Sequence, residues 1–502
     1  MMAYLDNAGW ISAKDAAEAE LIIVNSCGFI ESAKQESINA VLSWRKLYPG
    51  KKILLAGCLA QRYAKDLAKS LPEADAFFGV EDISGITEAA NGIFPDSFTR
   101  RKARRARRTR RARRARRARR ARGTWRAQRA QRCGERERDE LSMGQSQPSI
   151  SLRLCNKKSR LNKECESIDD LRGSVSSVRK KGGDFFNSSS RPILSLPGSA
   201  YVKISEGCDN RCTFCAIPLI RGGLVCRTVQ DITEECRGLL SRGIRELCII
   251  GQDIGSYRSG KDGLPELLKS ISSLSGDFWV RLLYMHPDNF PLPVLGVMQK
   301  DSRILPYFDI PFQHASAKIL GAMNRRGTGE SYLSLIETIR GRLPAAIIRS
   351  TFLLGFPGET DRDFDALLEF QEKARLDWLG CFAYSREEDT PAWSMSSQVL
   401  KKTAERRKRI IEERQVPISE KNMDRFVGRN YDVLVEERAI LKQAARSSIN
   451  PGSAVWLGRL YCHAPEVDGA AVITGSDDLK LGDIVPCKVL ARRGFDLEVE
   501  TG

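Results

Sequence analysis

Three cysteines that lie close together constrain the fold of this chain more than any other feature. Cys208, Cys212 and Cys215 belong to the run Glu-Gly-Cys-Asp-Asn-Arg-Cys-Thr-Phe-Cys-Ala-Ile-Pro, so they can cover only one face of a metal centre. On a cubane iron–sulfur cluster they would bind three irons and leave the fourth open to a small molecule. Incidental thiols, or part of a zinc site, are the alternatives. Zinc ribbons usually have two separated CxxC pairs, and the flanks contain no second pair. We therefore predict a 4Fe–4S cluster with one open iron.

Length and composition indicate a cytoplasmic protein of several domains. At 502 residues, 42% of them hydrophobic, the chain can form about three domains with real cores. No apolar run approaches the roughly 20 residues of a membrane span, and the first residues lack the features of a signal peptide. The fourteen cysteines follow no disulfide pattern. We therefore expect no membrane association and a reducing, cytoplasmic location.

The net charge of +18 comes mainly from one tract, and the rest of the chain is close to neutral. Residues 100–122 include sixteen basic residues and no acidic one, in an Arg-Arg-Ala rhythm. Such a tract repels itself and has no amphipathic face, so we predict disorder. It could bind RNA or the ribosome electrostatically, or it could be a tandem expansion inside a tolerant linker. Low complexity continues to about Pro192, and we interpret Cys133, Cys155 and Cys165 as bystanders.

The segment before this tract repeats one arrangement twice. The apolar runs 21–25 and 52–56 are each followed by a cysteine, Cys27 and Cys58, and then by a helical pattern. These runs are typical of buried parallel strands, each of which delivers a cysteine into a loop before a helix. Ligands bind at that edge of open α/β sheets. We therefore predict that Cys27 and Cys58 are metal ligands rather than core thiols.

Strand-like and helical patterns alternate after the tract. The apolar runs are 200–204, 246–250, 279–283, 307–310, 347–352 and 379–382, and helical stretches such as 229–243 and 359–374 lie between them. This alternation predicts a parallel sheet, as an open or partial (β/α) barrel with its chemistry at the carboxyl ends of the strands. Polar residues follow the strands there, among them Gln252, Gln313 and His314.

Several short sequence motifs besides the three cysteines carry a resemblance to a known family. They are Asn-Ser-Cys-Gly-Phe-Ile-Glu-Ser-Ala (25–33), Ala-Gly-Cys-Leu-Ala (56–60), Gln-Asp-Ile-Gly-Ser-Tyr (252–257), Gln-His-Ala-Ser (313–316), Met-Asn-Arg-Arg-Gly (323–327), Thr-Phe-Leu-Leu-Gly-Phe-Pro-Gly-Glu-Thr (351–360) and Ala-Pro-Glu-Val-Asp-Gly (464–469). With them the chain resembles the methylthiotransferase branch of the radical S-adenosylmethionine (SAM) enzymes, and within it the RimO subgroup. The resemblance covers residues 1 to about 95 and 196–500.

The resemblance implies an activity, cofactors and partners. A 5′-deoxyadenosyl radical from SAM would remove hydrogen from the β-carbon of an aspartate in small-subunit ribosomal protein S12, and a second SAM would donate the methyl group. Cys208, Cys212 and Cys215 would ligate the SAM-binding 4Fe–4S cluster. The implied SAM contacts are Phe214, Gln252, Gln313, Arg349 and Phe356. The electron would come from a low-potential donor such as flavodoxin or ferredoxin, and we expect a monomer.

The resemblance also implies four regions in an overall α/β protein. They are an N-terminal α/β methylthiotransferase domain (1–97), an Arg-rich linker predicted to be disordered (98–195), a radical SAM domain with a partial (β/α) barrel (196–422) and a small C-terminal β-barrel of the TRAM type (423–502). The family holds a second 4Fe–4S cluster with three N-terminal cysteines, but only Cys27 and Cys58 match. Either the coding sequence begins upstream and the first strand and its cysteine are absent from this chain, or the second cluster is incomplete and sulfur insertion is in doubt.

The charge of the C-terminal barrel helps to choose among substrates. From 430 to 502 the chain has eight basic and eleven acidic residues, so this part is poorly suited to a phosphate backbone and better suited to a basic ribosomal protein. We therefore favour the ribosomal protein over the adenosine of transfer RNA that the related MiaB subgroup modifies. A non-catalytic ribosome-binding relative is the remaining alternative.

Overall fold

The structure is a computed structural model, and it describes residues 1–13, 15–80, 83–94, 149–151, 193, 195–439, 455–475 and 478–501. The chain divides into two compact units, Met1–Ser177 and Val178–Gly502. The Arg-rich tract and Cys133, Cys155 and Cys165 lie outside the described residues. No helix in the described part of the chain combines the length and the apolar character that a membrane crossing requires.

The first unit is built on a parallel sheet with helices on both faces. Its strands are β1 (Ile11–Ser12), β2 (Leu21–Ser26), β3 (Lys52–Gly57), β4 (Ala76–Phe78) and β5 (Ser149–Ser151), in the spatial order β1-β5-β2-β3-β4. Its helices are α1 (Met2–Asn7), α2 (Glu31–Leu47), α3 (Cys58–Ser70) and α4 (Ile86–Gly92). Leu21 and Ile23 pack on one side and Ile22 and Val24 on the other. Because both faces are covered, the strands are continuous apolar runs.

Strand β5 is a difference from the sequence-based expectation. Its three residues lie in the predicted linker, yet they pair in parallel with both β1 and β2. The structure thus has a short strand at residues 149–151, inside the segment predicted to be a disordered linker. A run of three residues among serines is too short to be recognised from periodicity.

The second unit begins with an open parallel barrel. Its strands and hairpins are β6 (Ser199–Lys203), β7 (Ser205–Glu206), β8 (Val225–Cys226), β9 (Glu246–Ile250), β10 (Arg258–Ser259), β11 (Asp262–Gly263), β12 (Trp279–Leu282), β13 (Ile304–Asp309), β14 (Ile347–Leu354) and β15 (Trp378–Ala383). Its helices are α5 (Ile217–Arg221), α6 (Val229–Ser241), α7 (Leu264–Ser272), α8 (Pro293–Met298), α9 (Ala317–Ala322), α10 (Gly329–Arg342), α11 (Asp361–Ala374) and α12 (Lys401–Met423). The six long strands form one parallel sheet in the order β15-β14-β13-β12-β9-β6, as expected for a partial (β/α) barrel.

A closed five-stranded barrel follows. Its strands are β16 (Asn430–Ala439), β17 (Val455–Arg459), β18 (Ala471–Thr474), β19 (Ile484–Arg493) and β20 (Asp496–Thr501). Trp279 and Trp378 from the large sheet share one apolar cluster with Trp456 and Leu460 from the small barrel. The small barrel therefore covers the face of the sheet that the helices leave open.

A buried ionic cluster joins the small barrel to the large sheet. Glu246 on β9 accepts hydrogen bonds from Arg281 on β12 at 2.7 Å and from Arg459 on β17 at 2.5 Å. Arg459 also donates to Glu436 at 2.6 Å and to the Ser199 hydroxyl at 3.0 Å. Burial alone would raise the pKa of Glu246, but the two arginines hold that pKa well below its usual range. The ionic cluster thus fixes the orientation of the small barrel through groups that cannot be left unpaired.

Candidate metal centre

The three predicted cluster cysteines lie in one loop at the carboxyl edge of the large sheet. The loop runs from β7, which follows β6 of the large sheet and pairs with β8, to helix α5. A hydrogen bond from the Cys208 N–H to the Gly222 carbonyl closes its base at 3.2 Å. The Thr213 N–H donates to the Met323 carbonyl at 3.1 Å, and its hydroxyl donates to the Ala322 carbonyl at 2.8 Å. The middle of the loop is therefore tied to the end of helix α9.

A buried carboxylate fixes the first half of the loop. Asp253, which follows β9, accepts hydrogen bonds from the side-chain amides of Asn210 and Asn289 at 2.8 and 2.9 Å. It also accepts from the backbone N–H of Gly255 and of His286, each at 3.0 Å. These bonds support a structural role for Asp253, which links the cysteine loop to the ends of two barrel strands.

Burial keeps the three loop thiols protonated when no metal cation lies beside them. Burial raises the pKa of Cys208, Cys212 and Cys215, to about 12 for Cys215, and the three groups interact electrostatically. Because a buried thiolate needs compensating positive charge, metal binding would release these protons and be coupled to folding of the loop. Among the described residues, no group of three or more His, Cys, Asp or Glu side chains is arranged to hold a single metal ion. The spacing of the three cysteines is compatible with a cubane, in which each thiolate would bind a different iron, and this assignment stays a prediction.

Two further polar groups approach Cys212. His286 Nε2 lies 3.8 Å from the Cys212 sulfur, while Nδ1 accepts the Asp288 N–H at 3.2 Å. Burial, together with the charge of Arg325, lowers the pKa of His286 to about 4, so its neutral form presents Nε2–H to the sulfur. Burial raises the pKa of Cys212, and the charge of Arg325 offsets part of that rise. Neither side chain was identified as functional from the sequence.

Two of the predicted SAM contacts come together beside the cysteine loop. Phe214 packs against a small apolar cluster that includes Phe356, Met323 and Leu353. Gln252 lies just after β9, and its buried side-chain oxygen Oε1 has no hydrogen-bond partner among the described residues. An unpartnered buried acceptor is costly unless a ligand donates to it. This geometry is consistent with a ligand pocket, and the individual contacts stay predictions.

The other predicted SAM contacts, Gln313 and Arg349, interact with other residues of the protein. Gln313 has a left-handed backbone, with φ of 67°, and exchanges backbone hydrogen bonds with Thr351 and Leu353. Arg349 forms an ion pair with Asp309 at 3.0 Å and approaches Asp468 of the small barrel at 3.6 Å. The structure therefore places Arg349 in the link between the two barrels, and its role toward SAM stays a prediction.

His314 also lies at the carboxyl edge of the large sheet, but its side chain is buried inside the protein. It is fully buried, and its Nδ1 accepts the backbone N–H groups of Ala315 and Ser316 at 2.9 and 3.0 Å. Burial lowers its pKa to about 4, so the ring is neutral near pH 7. These contacts indicate that His314 holds the shape of the loop after β13.

In the first unit, Cys27 and Cys58 lie at the carboxyl ends of neighbouring strands. Ser26 on β2 is paired with Gly57 on β3, so each cysteine follows its strand at the same level of the sheet. The two loops also touch, because a Cβ built on Gly28 would lie 2.7 Å from the Cys58 carbonyl oxygen. Gly57 has φ of 117°, and a Cβ there would lie 2.5 Å from the Ser26 carbonyl oxygen. Both glycines are thus required for the close approach of the two loops.

Gly28→Ala should lower metal binding by the first unit. The added methyl group would press on backbone atoms of Cys58 and Leu59, so the two cysteine loops must move apart. In a Cys208/Cys212/Cys215 triple alanine background, we expect the substitution to remove most of the remaining iron. Gly50→Ala is the matched control, because a Cβ there meets nothing within 4 Å. If the triple alanine background retains iron, an iron content equal to that of the Gly50→Ala control would contradict this placement of the loops.

Comparisons with known proteins agree with the three folded parts. Residues 1–79 match the model of "Uncharacterized protein family UPF0004", residues 202–370 match that of the radical SAM superfamily, and residues 427–501 match that of the TRAM domain. Three relatives carry the name ribosomal protein uS12 methylthiotransferase RimO. The protein from Treponema denticola is 40% identical over 98% of this chain and 95% of its own length. The one from Alkaliphilus oremlandii is 34% identical over 96% and 90%, and the one from Carboxydothermus hydrogenoformans is 33% identical over 100% and 95%.

Proposed function

Because the chain belongs to the RimO family of radical SAM methylthiotransferases, we propose that it adds a methylthio group to ribosomal protein uS12, at the β-carbon of an aspartate. The observation that carries this proposal is the loop of Cys208, Cys212 and Cys215 at the carboxyl edge of a parallel barrel, with an unpartnered Gln252 oxygen nearby. The proposed location is the cytoplasm, where such thiols stay reduced.

The residues of this chain would hold and shield the reacting groups. When bound, a 4Fe–4S cluster with an open iron supplies the electron that cleaves SAM to a 5′-deoxyadenosyl radical. Cys208, Cys212 and Cys215 hold that cluster, while Phe214 and Phe356 form an apolar wall that excludes water from it. Gln252 would accept a hydrogen bond from SAM. A second SAM would donate the methyl group, and a low-potential protein such as flavodoxin or ferredoxin would donate the electron to a monomeric enzyme.

The inserted sulfur would be handled in the first unit. Cys27 and Cys58 would supply two ligands of a second 4Fe–4S cluster, since their loops meet at the edge of the sheet where ligands bind. Iron and acid-labile sulfide on anaerobically reconstituted protein test this part. About eight irons in the wild type, with about four left after Cys208, Cys212 and Cys215 are changed to alanine, would support two clusters. About four irons falling to none would mean that only the SAM-binding cluster forms.

The small barrel favours a basic protein as the substrate. Glu437, Glu466 and Asp432 are among its exposed side chains, and acidic residues outnumber basic ones from 430 to 502 by eleven to eight. Such a surface attracts basic partners and repels a phosphate backbone.

We expect the reconstituted protein to modify uS12 and to leave transfer RNA unchanged. The assay would offer SAM, a reductant and sulfide with either purified uS12 or unmodified transfer RNA. Mass spectrometry of the tryptic peptides and of the digested nucleosides would locate the methylthio group. Methylthiolated adenosine with unmodified uS12 would favour the MiaB-like function instead. Modification of neither, with no cleavage of SAM, would favour a non-catalytic ribosome-binding role.

A further inference from the structure

A buried arginine borders the cysteine loop and forms no ion pair with a carboxylate among the described residues. Arg325 follows helix α9 and is 6% exposed. Its guanidinium donates to the carbonyl oxygens of Pro311 at 2.6 Å and Phe312 at 3.5 Å. The neighbouring Asn324 side chain donates to the Arg211 carbonyl oxygen of the cysteine loop at 3.0 Å. Burial raises the pKa of Cys212 and of Tyr332, and the charge of Arg325 offsets part of that rise. Its Nε has no partner among the described residues. A buried cation whose protein partners are all neutral is costly, so a negative charge is expected to lie beside it.

The two acidic groups in this region, Asp253 and Asp288, bind other partners. Asp253 accepts hydrogen bonds from Asn210, Asn289 and two backbone N–H groups, as described above. The Asp288 carboxylate accepts the backbone N–H groups of Arg326 and Gly327 at 2.7 and 3.1 Å. It also accepts the Tyr332 hydroxyl at 3.2 Å. Asp288 therefore holds the turn that follows Arg325, and it forms no ion pair with the Arg325 guanidinium. The sulfur of Cys212, once it is a thiolate metal ligand, is the group that can supply the negative charge.

We propose that Arg325 is the counter-cation of the iron–sulfur cluster at Cys208, Cys212 and Cys215 and raises its reduction potential. Reduction adds one electron from the external low-potential donor to a cluster that already carries thiolate charge. A guanidinium fixed beside Cys212 in a water-poor site stabilises that added charge. Arg325 is thus a positioning residue that acts through Cys212. This inference rests on the proposed radical SAM function, because it assumes that the three cysteines hold a cluster.

The test compares variants of the full chain after anaerobic reconstitution, by redox titration with electron paramagnetic resonance. Arg325→Gln should lower the ratio of reduced to oxidised cluster at a fixed potential by about tenfold, a shift of about 59 mV for a one-electron couple. Arg325→Lys keeps the charge and should stay near the wild-type potential. Arg326→Gln removes the neighbouring exposed charge. It should have little effect, since water and salt screen that charge.

The outcomes separate a charge effect from a packing effect. If Arg325→Gln loses the cluster and Arg325→Lys keeps it, the result would also support the proposal, because lysine keeps the positive charge at this position and glutamine does not. Equal potentials in the wild type and in Arg325→Gln would overturn it, and so would loss of the cluster in both variants. A wild type that binds no cluster at the three cysteines would overturn the proposed function as well.

Discussion

Cys212→Ala should abolish the reductive cleavage of SAM while the C-terminal barrel stays folded. Cys212 is the most buried of the three loop cysteines, and it is the one that His286 and Arg325 both approach. Two thiolates cannot hold three irons of a cubane, so the cluster should be lost or unable to bind SAM productively. The measurement is formation of 5′-deoxyadenosine and methionine with dithionite as the reductant, with the iron content of the same sample.

The control for this variant is a cysteine of the same unit that contacts no site residue. Cys236 is fully buried on helix α6 and packs in the apolar core, so Cys236→Ala removes a thiol of similar burial. We expect it to keep SAM cleavage, with a small loss of stability from the cavity. Cleavage by Cys212→Ala at the rate of the Cys236→Ala control would disprove the cluster assignment.

The parts of the fold that could be predicted depend on local patterns. Buried parallel strands are continuous apolar runs because helices cover their faces, and all six predicted barrel runs became strands of one sheet. The three cysteines were found because their ligand spacing lies within a few residues of sequence. The two cysteine loops of the first unit were found because each directly follows its strand.

The parts that could not be predicted depend on contacts between residues distant in sequence. Arg459 meets Glu246 across 213 positions, and although Glu246 begins a predicted strand, no local pattern indicates this pairing. His286 approaches Cys212 from 74 positions away. Arg325 belongs to the recognised motif Met-Asn-Arg-Arg-Gly (323–327), but the sequence does not show which of the two adjacent arginines is buried. Only the fold decides which polar groups lose water and so require partners.

Glu246→Gln should strongly destabilise the second unit. Glu246 is the only carboxylate that pairs with Arg281 among the described residues, and Arg281 is fully buried, with one guanidinium nitrogen already lacking a partner. Removing one member of a buried ion pair costs about 3–5 kcal/mol, because the remaining charge stays buried and uncompensated. Urea unfolding followed by tryptophan fluorescence reports on this region, since Trp279, Trp378 and Trp456 pack at the same junction.

The destabilisation caused by Glu246→Gln should also depend on pH in a defined direction. The two arginines hold the pKa of Glu246 below its unfolded value of about 4.3, against the effect of burial. The contribution of Glu246 to the unfolding free energy is therefore present above that pH and is lost as the pH falls. The difference in unfolding free energy between wild type and Glu246→Gln should therefore shrink below about pH 4. Glu413→Gln is the control, because its ion pair with Arg409 is largely exposed and should be worth about 1 kcal/mol or less. If Glu246→Gln costs no more than this control, the ionic cluster does not hold the two barrels together.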